Sequence, residues 1–255
     1  MRIMIEEVIR VILAVITFSI AGIMDWRTRE INPYIWLPSL IIGIFLGIHK
    51  AVNGLSIYQI ISLVISIVIA VIVTIMVFLF RLMGGADFLA IITFISLYPY
   101  TQLTNLIAYH KKFSSIIINI YNIILIMPPI ITVLLIYTII MLFFLIYNTL
   151  CNLRHVNVLN YLGFPLYKKI YFIVFHKIID IDTLFKRRFY YPIFIPGKVD
   201  RISFNIYEDD LSWREKLKDM PKETMIIASW GIPMVTFLSI SVLIYSITYF
   251  ICIFS

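Results

Sequence analysis

Acid is what this chain lacks most. Between Val8 and Ile179 it carries three acidic residues, Asp25, Glu30 and Asp87. Charged residues of both signs make up 14% of the 255 positions against 62% hydrophobic, a balance that excludes a water-soluble domain. Cysteine is nearly absent. Cys151 and Cys252 stand far apart with no second cysteine near either, which leaves no basis for a thiolate metal site or a disulfide framework. His49, His110, His155 and His176 are scattered too, and no spacing brings two to one helical face, so the pattern points to no metal centre. The Tyr and Phe content suits interfacial belts and requires no cofactor. Repeats and low-complexity tracts are missing as well.

What is present is a series of long Ile, Leu and Val runs. They reach the ~18 residues that identify a membrane-crossing helix, and they do not alternate as barrel strands do. Inside lipid every backbone amide must be satisfied within its own segment, so the fold class is an all-α integral membrane protein. Six transmembrane helices are expected, at Val8 to Met24, Tyr34 to Ile48, Ile57 to Phe80, Phe88 to Ile107, Met127 to Tyr147 and Met225 to Ile253. The first is read as a retained span rather than a secretory signal, because Glu6 and Glu7 flank it where a signal needs positive charge. An interfacial segment from Ile116 precedes the fifth.

The net charge of +7 is better explained by membrane orientation than by nucleic acid. Arg27 and Arg29 follow the first span, Arg81 follows the third, and thirteen Lys or Arg lie between Arg154 and Lys222 after the fifth. These loops share one face, which the positive-inside rule makes cytoplasmic. The expected topology is therefore a multi-pass protein of the cell membrane with both termini outside. Its domains are residues 1 to 149 with five spans, a small cytoplasmic lobe at 150 to 224, and the last span at 225 to 255. Within the lobe, Lys186-Arg187-Arg188 is a candidate contact for anionic membrane lipid or an ordinary topology determinant.

A carboxylate at bilayer depth costs roughly 2.5 to 3.5 kcal/mol on insertion scales, so acids at span ends call for a reason. Asp25 ends the first span and Asp87 opens the fourth, with two crossings between them, which puts both on the cytoplasmic side. Two carboxylates sharing one proton supply both halves of aspartyl hydrolysis: one takes a proton from water while the other donates to the carbonyl. At an effective dielectric near 20, two charges about 4 Å apart repel by roughly 4 kcal/mol, which favours that sharing. Gly84-Gly85-Ala86 before Asp87 carry little or no side chain and let a substrate strand approach the backbone. Read alone, a Gly-Gly-Asp loop is most often a turn, and Asp25 an acid that faces headgroups or pairs with Arg27 or Arg29; the two acids at matching depth carry the weight. Glu30 is a candidate contact for a basic substrate, with a surface ion pair to Arg27 or Arg29 as the plainer reading. Glu208-Asp209-Asp210 is the acidic patch of the lobe that would suit the same purpose.

The segment Asp25-Trp26-Arg27-Thr28-Arg29-Glu30-Ile31-Asn32-Pro33 after a first span, with Gly84-Gly85-Ala86-Asp87 opening a fourth, resembles the type IV prepilin peptidase family and its archaeal preflagellin peptidase branch. Ala86 matches the relaxed archaeal form of the motif, and Trp230-Gly231-Ile232-Pro233 is similar to a segment of archaeal members. The resemblance implies a six-span fold with Asp25 and Asp87 as catalytic residues. It implies an aspartic endopeptidase that removes short basic leaders from type IV pilin-like or archaellin precursors at the cytoplasmic membrane face. The cysteine-rich insertion that bacterial members link to N-methylation is lacking, so no methyltransferase activity is expected.

Two other classes compete. A small transporter would use Asp25 and Asp87 to relay protons or hold a cation, but coupled transporters place such groups near the midplane and these stand at one face. A membrane scaffold working through the lobe would be indifferent to both aspartates. Presenilin-like proteases share the aspartyl chemistry, yet their Tyr-Asp and Pro-Ala-Leu signatures are missing here.

Overall fold

The computed structural model describes residues 2–78, 84–101, 127–201 and 210–254. The chain divides into two compact units, residues 1–139 with 233–255, and residues 140–232. Arg81, His110, Lys111 and Lys112, the segment from Ile116 up to the fifth span, and Glu208 with Asp209 lie outside the described residues.

The first unit is helical. Its elements are α1 (Arg2–Thr28), α2 (Leu37–Val52), α3 (Ile57–Phe78), α4 (Gly85–Leu97), the start of α5 (Pro129–Leu153) and, from the end of the chain, α10 (Met234–Phe254). Among the described residues five helices are long and apolar enough to cross a membrane: Ile5–Thr28, Pro33–Val52, Ile57–Phe78, Pro129–Leu153 and Met234–Ile251. This is a helical membrane protein, as composition requires. α4 is shorter than its expected span because Pro99 ends it. A proline has no amide to donate and disfavours helical backbone in the residue before it, and Tyr98 has already left the helical region at φ −128° and ψ 66°.

Val11, Ala14, Phe18 and Ala21 of α1 are buried at three- and four-residue spacing and meet Val235, Leu238 and Val242 of α10 in one core. Phe18 stands edge-on to Trp36, with ring centroids 5.3 Å apart, and edge-on to Phe94 of α4 at 6.4 Å. The outer surfaces of these helices are apolar as well, as with Ile60, Val64 and Ile67 of α3, which suits lipid as solvent. With lipid on the outside, helices associate through close packing rather than exclusion of water, so small residues decide where backbones approach. At Gly43 of α2 an added Cβ would lie 2.8 Å from the Ser96 carbonyl carbon and 2.9 Å from the Leu97 nitrogen. Only glycine permits that approach to α4. Far along α1 from Asp25, the buried Glu7 accepts a hydrogen bond from the Tyr249 hydroxyl at 2.7 Å and pairs with Arg10 at 3.8 Å, so the charge of Arg10 does not enter the core alone.

The second unit holds the remainder of α5, α6 (Val156–Tyr161), α7 (Leu166–Phe175), β1 (Lys177–Asp180), α8 (Ile181–Lys186), β2 (Tyr190–Ile195), β3 (Val199–Asp200), α9 (Asp210–Leu217) and β4 (Met225–Trp230). Its four strands form one antiparallel sheet in the order β1-β4-β2-β3. Here the structure departs from the hydropathy reading. Met225 to Trp230, expected as the start of the sixth span, is an inner strand of the sheet, and the last helix opens at Met234. A six-residue run that is apolar but for Ser229 suits a strand covered on both faces as well as it suits a helix. Ile226 and Ala228 pack with Ile181, Leu184 and Leu217, while Ile227 joins Leu159, Phe172 and Ile193 in a separate core. Gly231 and Pro233 then stop the strand before the helix begins.

Candidate functional site

Asp25 lies in the last turn of α1 and is 7% exposed. Three groups face its carboxylate. The backbone amide of Thr236 donates to Oδ2 at 2.9 Å, the Thr236 hydroxyl is within hydrogen-bond distance of the same oxygen at 3.1 Å, and a guanidinium nitrogen of Arg29 stands 4.0 Å from Oδ1. Thr236 is the third residue of α10, where backbone amides have no partner inside their own helix. The positive end of that helix thus points at a carboxylate supplied by α1. The single proton of the Thr236 hydroxyl is shared between Oδ2 of Asp25 and the Gly22 carbonyl, 2.9 Å away, which ties the two helices together one turn before the acid.

Arg29 reaches Asp25 by an uncommon turn. Its backbone φ is +62°, in the left-handed region that an L-residue enters at a cost of ~1–2 kcal/mol. Its amide donates to the Asp25 carbonyl at 3.2 Å, closing α1 as a glycine commonly would. The turn carries the arginine side chain back toward the helix it has just left. Thr28 fastens the same corner, its hydroxyl bonding to the Met24 and Glu30 carbonyls at 3.0 and 3.1 Å.

Asp87 is in the first turn of α4, half-buried. Its Oδ2 accepts the Gly84 amide at 3.2 Å, so the side chain caps its own helix. The negative charge of Asp25 acts on Asp87; the fold therefore brings the two acids within electrostatic reach of each other although α2 and α3 separate them in the chain. Gly84 and Gly85 are both exposed. Gly84 has ordinary extended backbone, φ −72° and ψ 155°, so no left-handed conformation calls for glycine there. A Cβ at Gly84 would press on the Asp87 carboxylate at 3.2 Å, whereas one at Gly85 would meet nothing within 4 Å. Ala86 is half-buried and joins the core beside Phe88. Glu30 is exposed, just past the end of α1, and Arg29 faces Asp25.

Asp25 and Asp87 were legible as candidates, and so was an ion pair of Asp25 with Arg27 or Arg29; Thr236 was not. A threonine in the first turn after Pro233 is an ordinary helix start, and nothing local links it to an acid 211 positions earlier. The arrangement is one carboxylate ringed by donors, a second carboxylate within range of its charge, and an uncrowded backbone beside the second. Such a pair can activate water with one member and protonate a carbonyl with the other.

The model of the type IV leader peptidase family matches residues 12–146, a stretch that contains both aspartates. No curated protein matches the chain.

Proposed function

The chain belongs to the type IV leader peptidase family, and from that membership we propose that it is an intramembrane aspartyl endopeptidase whose catalytic pair is Asp25 and Asp87. Its substrates are pilin-like precursors, in our reading type IV pilin-like proteins or archaellins of the archaeal preflagellin kind. It removes their short basic leaders at the cytoplasmic face of the cell membrane. The observation that carries this reading is the presence of both aspartates inside the matched region, with Asp87 within reach of the charge of Asp25.

The surroundings divide the labour. Among the described residues Asp25 faces the Thr236 amide and hydroxyl and the Arg29 guanidinium, an environment suited to the carboxylate that takes a proton from the attacking water. Asp87, bonded to the Gly84 amide, is then the member that carries the shared proton to the scissile carbonyl. The exposed Gly84 and Gly85 leave room for the leader strand beside it, and Glu30 lies exposed where a basic leader would approach. As the tetrahedral intermediate collapses, Asp25 gives its proton to the leaving amine while Asp87 takes back the proton of the gem-diol hydroxyl that becomes the new carbonyl, which restores the pair without metal or cofactor.

The direct test is incubation of the detergent-solubilised protein with tagged pilin-like and archaellin precursors, followed by mass analysis of the products. Cleavage at the junction of the basic leader and the apolar segment is the expected result. If no precursor is cut and proteoliposomes instead carry a proton or cation current, the protein is a transporter and the proposal fails.

Thr236 is a positioning residue in this scheme, since it acts through Asp25. Hydrogen bonds to charged groups contribute ~1.5–3 kcal/mol, so Thr236→Ala should lower kcat by roughly 10- to 100-fold. KM should stay near the wild-type value, because the substrate does not touch this side chain. Thr236→Ser, which keeps the hydroxyl, should recover most of the loss. A general packing defect would show neither the split between kcat and KM nor the rescue by serine.

A further inference from the structure

The second unit carries an apolar surface that no part of the leader-cleavage chemistry uses. Tyr161 at the end of α6 is 90% exposed, and on α7 Leu166, Tyr167, Ile170 and Phe175 are 75%, 70%, 54% and 60% exposed. Phe172 of the same helix is 2% exposed and packs into the lobe. α7 is therefore docked by one side and bare on the other.

Its level along α5 is fixed by side-chain hydrogen bonds. The Asn148 amide donates to the Val174 and His176 carbonyls at 3.0 and 2.9 Å. Asn152 donates to the Ile173 carbonyl at 2.8 Å and accepts the Ile178 amide at 3.2 Å. A bilayer core accommodates about 20 residues of helix, so a span that enters the bilayer at Pro129 leaves it near Asn148. The end of α7 is thus held where hydrocarbon gives way to headgroups, a level at which α5 itself exposes Tyr147, Leu150 and Leu153.

Charge agrees with that level. From Arg154 through Ile179 there is no acidic residue, while Arg154, Lys168, Lys169 and Lys177 fall in the same stretch. Lys168 is 3.5 Å from Asp200 and Lys169 donates to Asn160 at 2.8 Å, which steadies both stems beside α7. Arg187 joins from the far end of α8: its charge and that of Arg154 both act on Tyr147, a tyrosine at the depth where aromatic belts form.

We propose that α6 and α7 form an interfacial anchor that lies in the cytoplasmic headgroup layer of the same membrane that α5 crosses. Tyr161, Leu166, Tyr167 and Ile170 enter its apolar margin, and Arg154, Arg187 and the two lysines contact anionic phospholipid. The lobe is then held against the bilayer by contacts of its own in addition to its covalent links.

The test uses the full-length protein with Cys151→Ser and Cys252→Ser, spin-labelled through Tyr167→Cys or, as a second position, Ile170→Cys. Lys198→Cys in the exposed turn between β2 and β3 is the water-facing control. Each is reconstituted into nanodiscs of phosphatidylcholine alone or mixed with phosphatidylglycerol. In the mixed discs, labels at 167 and 170 should be relaxed several-fold more by oxygen than by a water-soluble nickel chelate, and the label at 198 should show the reverse. Removing phosphatidylglycerol should weaken the shielding at 167 and 170. Nickel access at both positions in mixed discs would overturn the anchor, and equal shielding in both lipids would overturn its anionic part. Shielding that disappears when the discs are prepared with one protein copy each would mean that a second copy covers the surface, which also overturns the proposal.

Discussion

Asp25→Asn and Asp87→Asn should each lower the rate of leader cleavage by roughly 10²- to 10⁴-fold, the range over which a positioned acid or base contributes. The size of the loss follows from the sharing of one proton. An amide at position 25 cannot accept the proton of water, and an amide at position 87 cannot give one to a carbonyl, so either change stops the cycle at a different step. The double variant should be no slower than the slower single variant, because the two groups act as a unit. Both substitutions keep shape and volume. In Asp25→Asn the side-chain carbonyl would still offer an oxygen to the Thr236 amide, which donates to Asp25 at 2.9 Å; the proteins should be extracted and elute as wild type does. The measurement is single-turnover cleavage of a tagged precursor by each purified variant. Full cleavage by both would remove the aspartyl mechanism, whatever the family.

The aspartates were legible in the sequence because their surroundings are poor in acid. In a chain where Asp25, Glu30 and Asp87 are the acids between Val8 and Ile179, the solvation cost of a carboxylate near lipid marks each one, and an even number of crossings puts the first and last on one side. The donors that Thr236 offers Asp25 were not legible. Thr236 stands beside Asp25 because Val11, Ala14, Phe18 and Ala21 of α1 pack with Val235, Leu238 and Val242 of α10, and that pairing depends on three-dimensional complementarity that hydropathy does not encode. Arg29 reads in the sequence as an orientation signal and as one of two candidate ion partners of Asp25, but its backbone at φ +62° is a tertiary outcome with no glycine or asparagine to announce it.

The helical membrane class follows directly from the length of the apolar runs, and the limits of that reading are equally physical. Hydropathy registers burial and does not distinguish burial by lipid from burial by protein. Met225 to Trp230 is apolar because it lies in a sheet with a hydrophobic core on either face, so hydropathy alone assigns it to a membrane helix. For the same reason Tyr190 to Ile195 does not stand out as a strand, since it does not alternate and contains Pro192, which stands beside a register shift in its pairing with β4. What separates the strand from the last helix is the break at Gly231 and Pro233, after which the helix opens at Met234.

Gly22 tests whether the contact between α1 and α10 sets up the site. A Cβ placed there would lie 3.0 Å from the Ser239 Cβ, 3.1 Å from its hydroxyl and 3.7 Å from the Thr236 Cα. Alanine needs those neighbours to yield by a few tenths of an ångström, so Gly22→Ala should retain most activity. Leucine has no room, and Gly22→Leu should push the start of α10 outward, drawing the Thr236 amide and hydroxyl away from Asp25. A shift near 1 Å in a catalytic group can cost about 10²-fold in rate, and overpacking of this kind destabilises by ~1–3 kcal/mol. Gly22→Leu should therefore fold with a lowered melting temperature in detergent while cleavage falls about 10²-fold, a loss much larger than partial unfolding at the assay temperature explains. Thr236→Ala in the Gly22→Leu background should add little, because the bond it removes is already broken. An additive second loss would mean that leucine at position 22 acts through general instability, and that the α1 to α10 contact holds the fold without setting the geometry of Asp25.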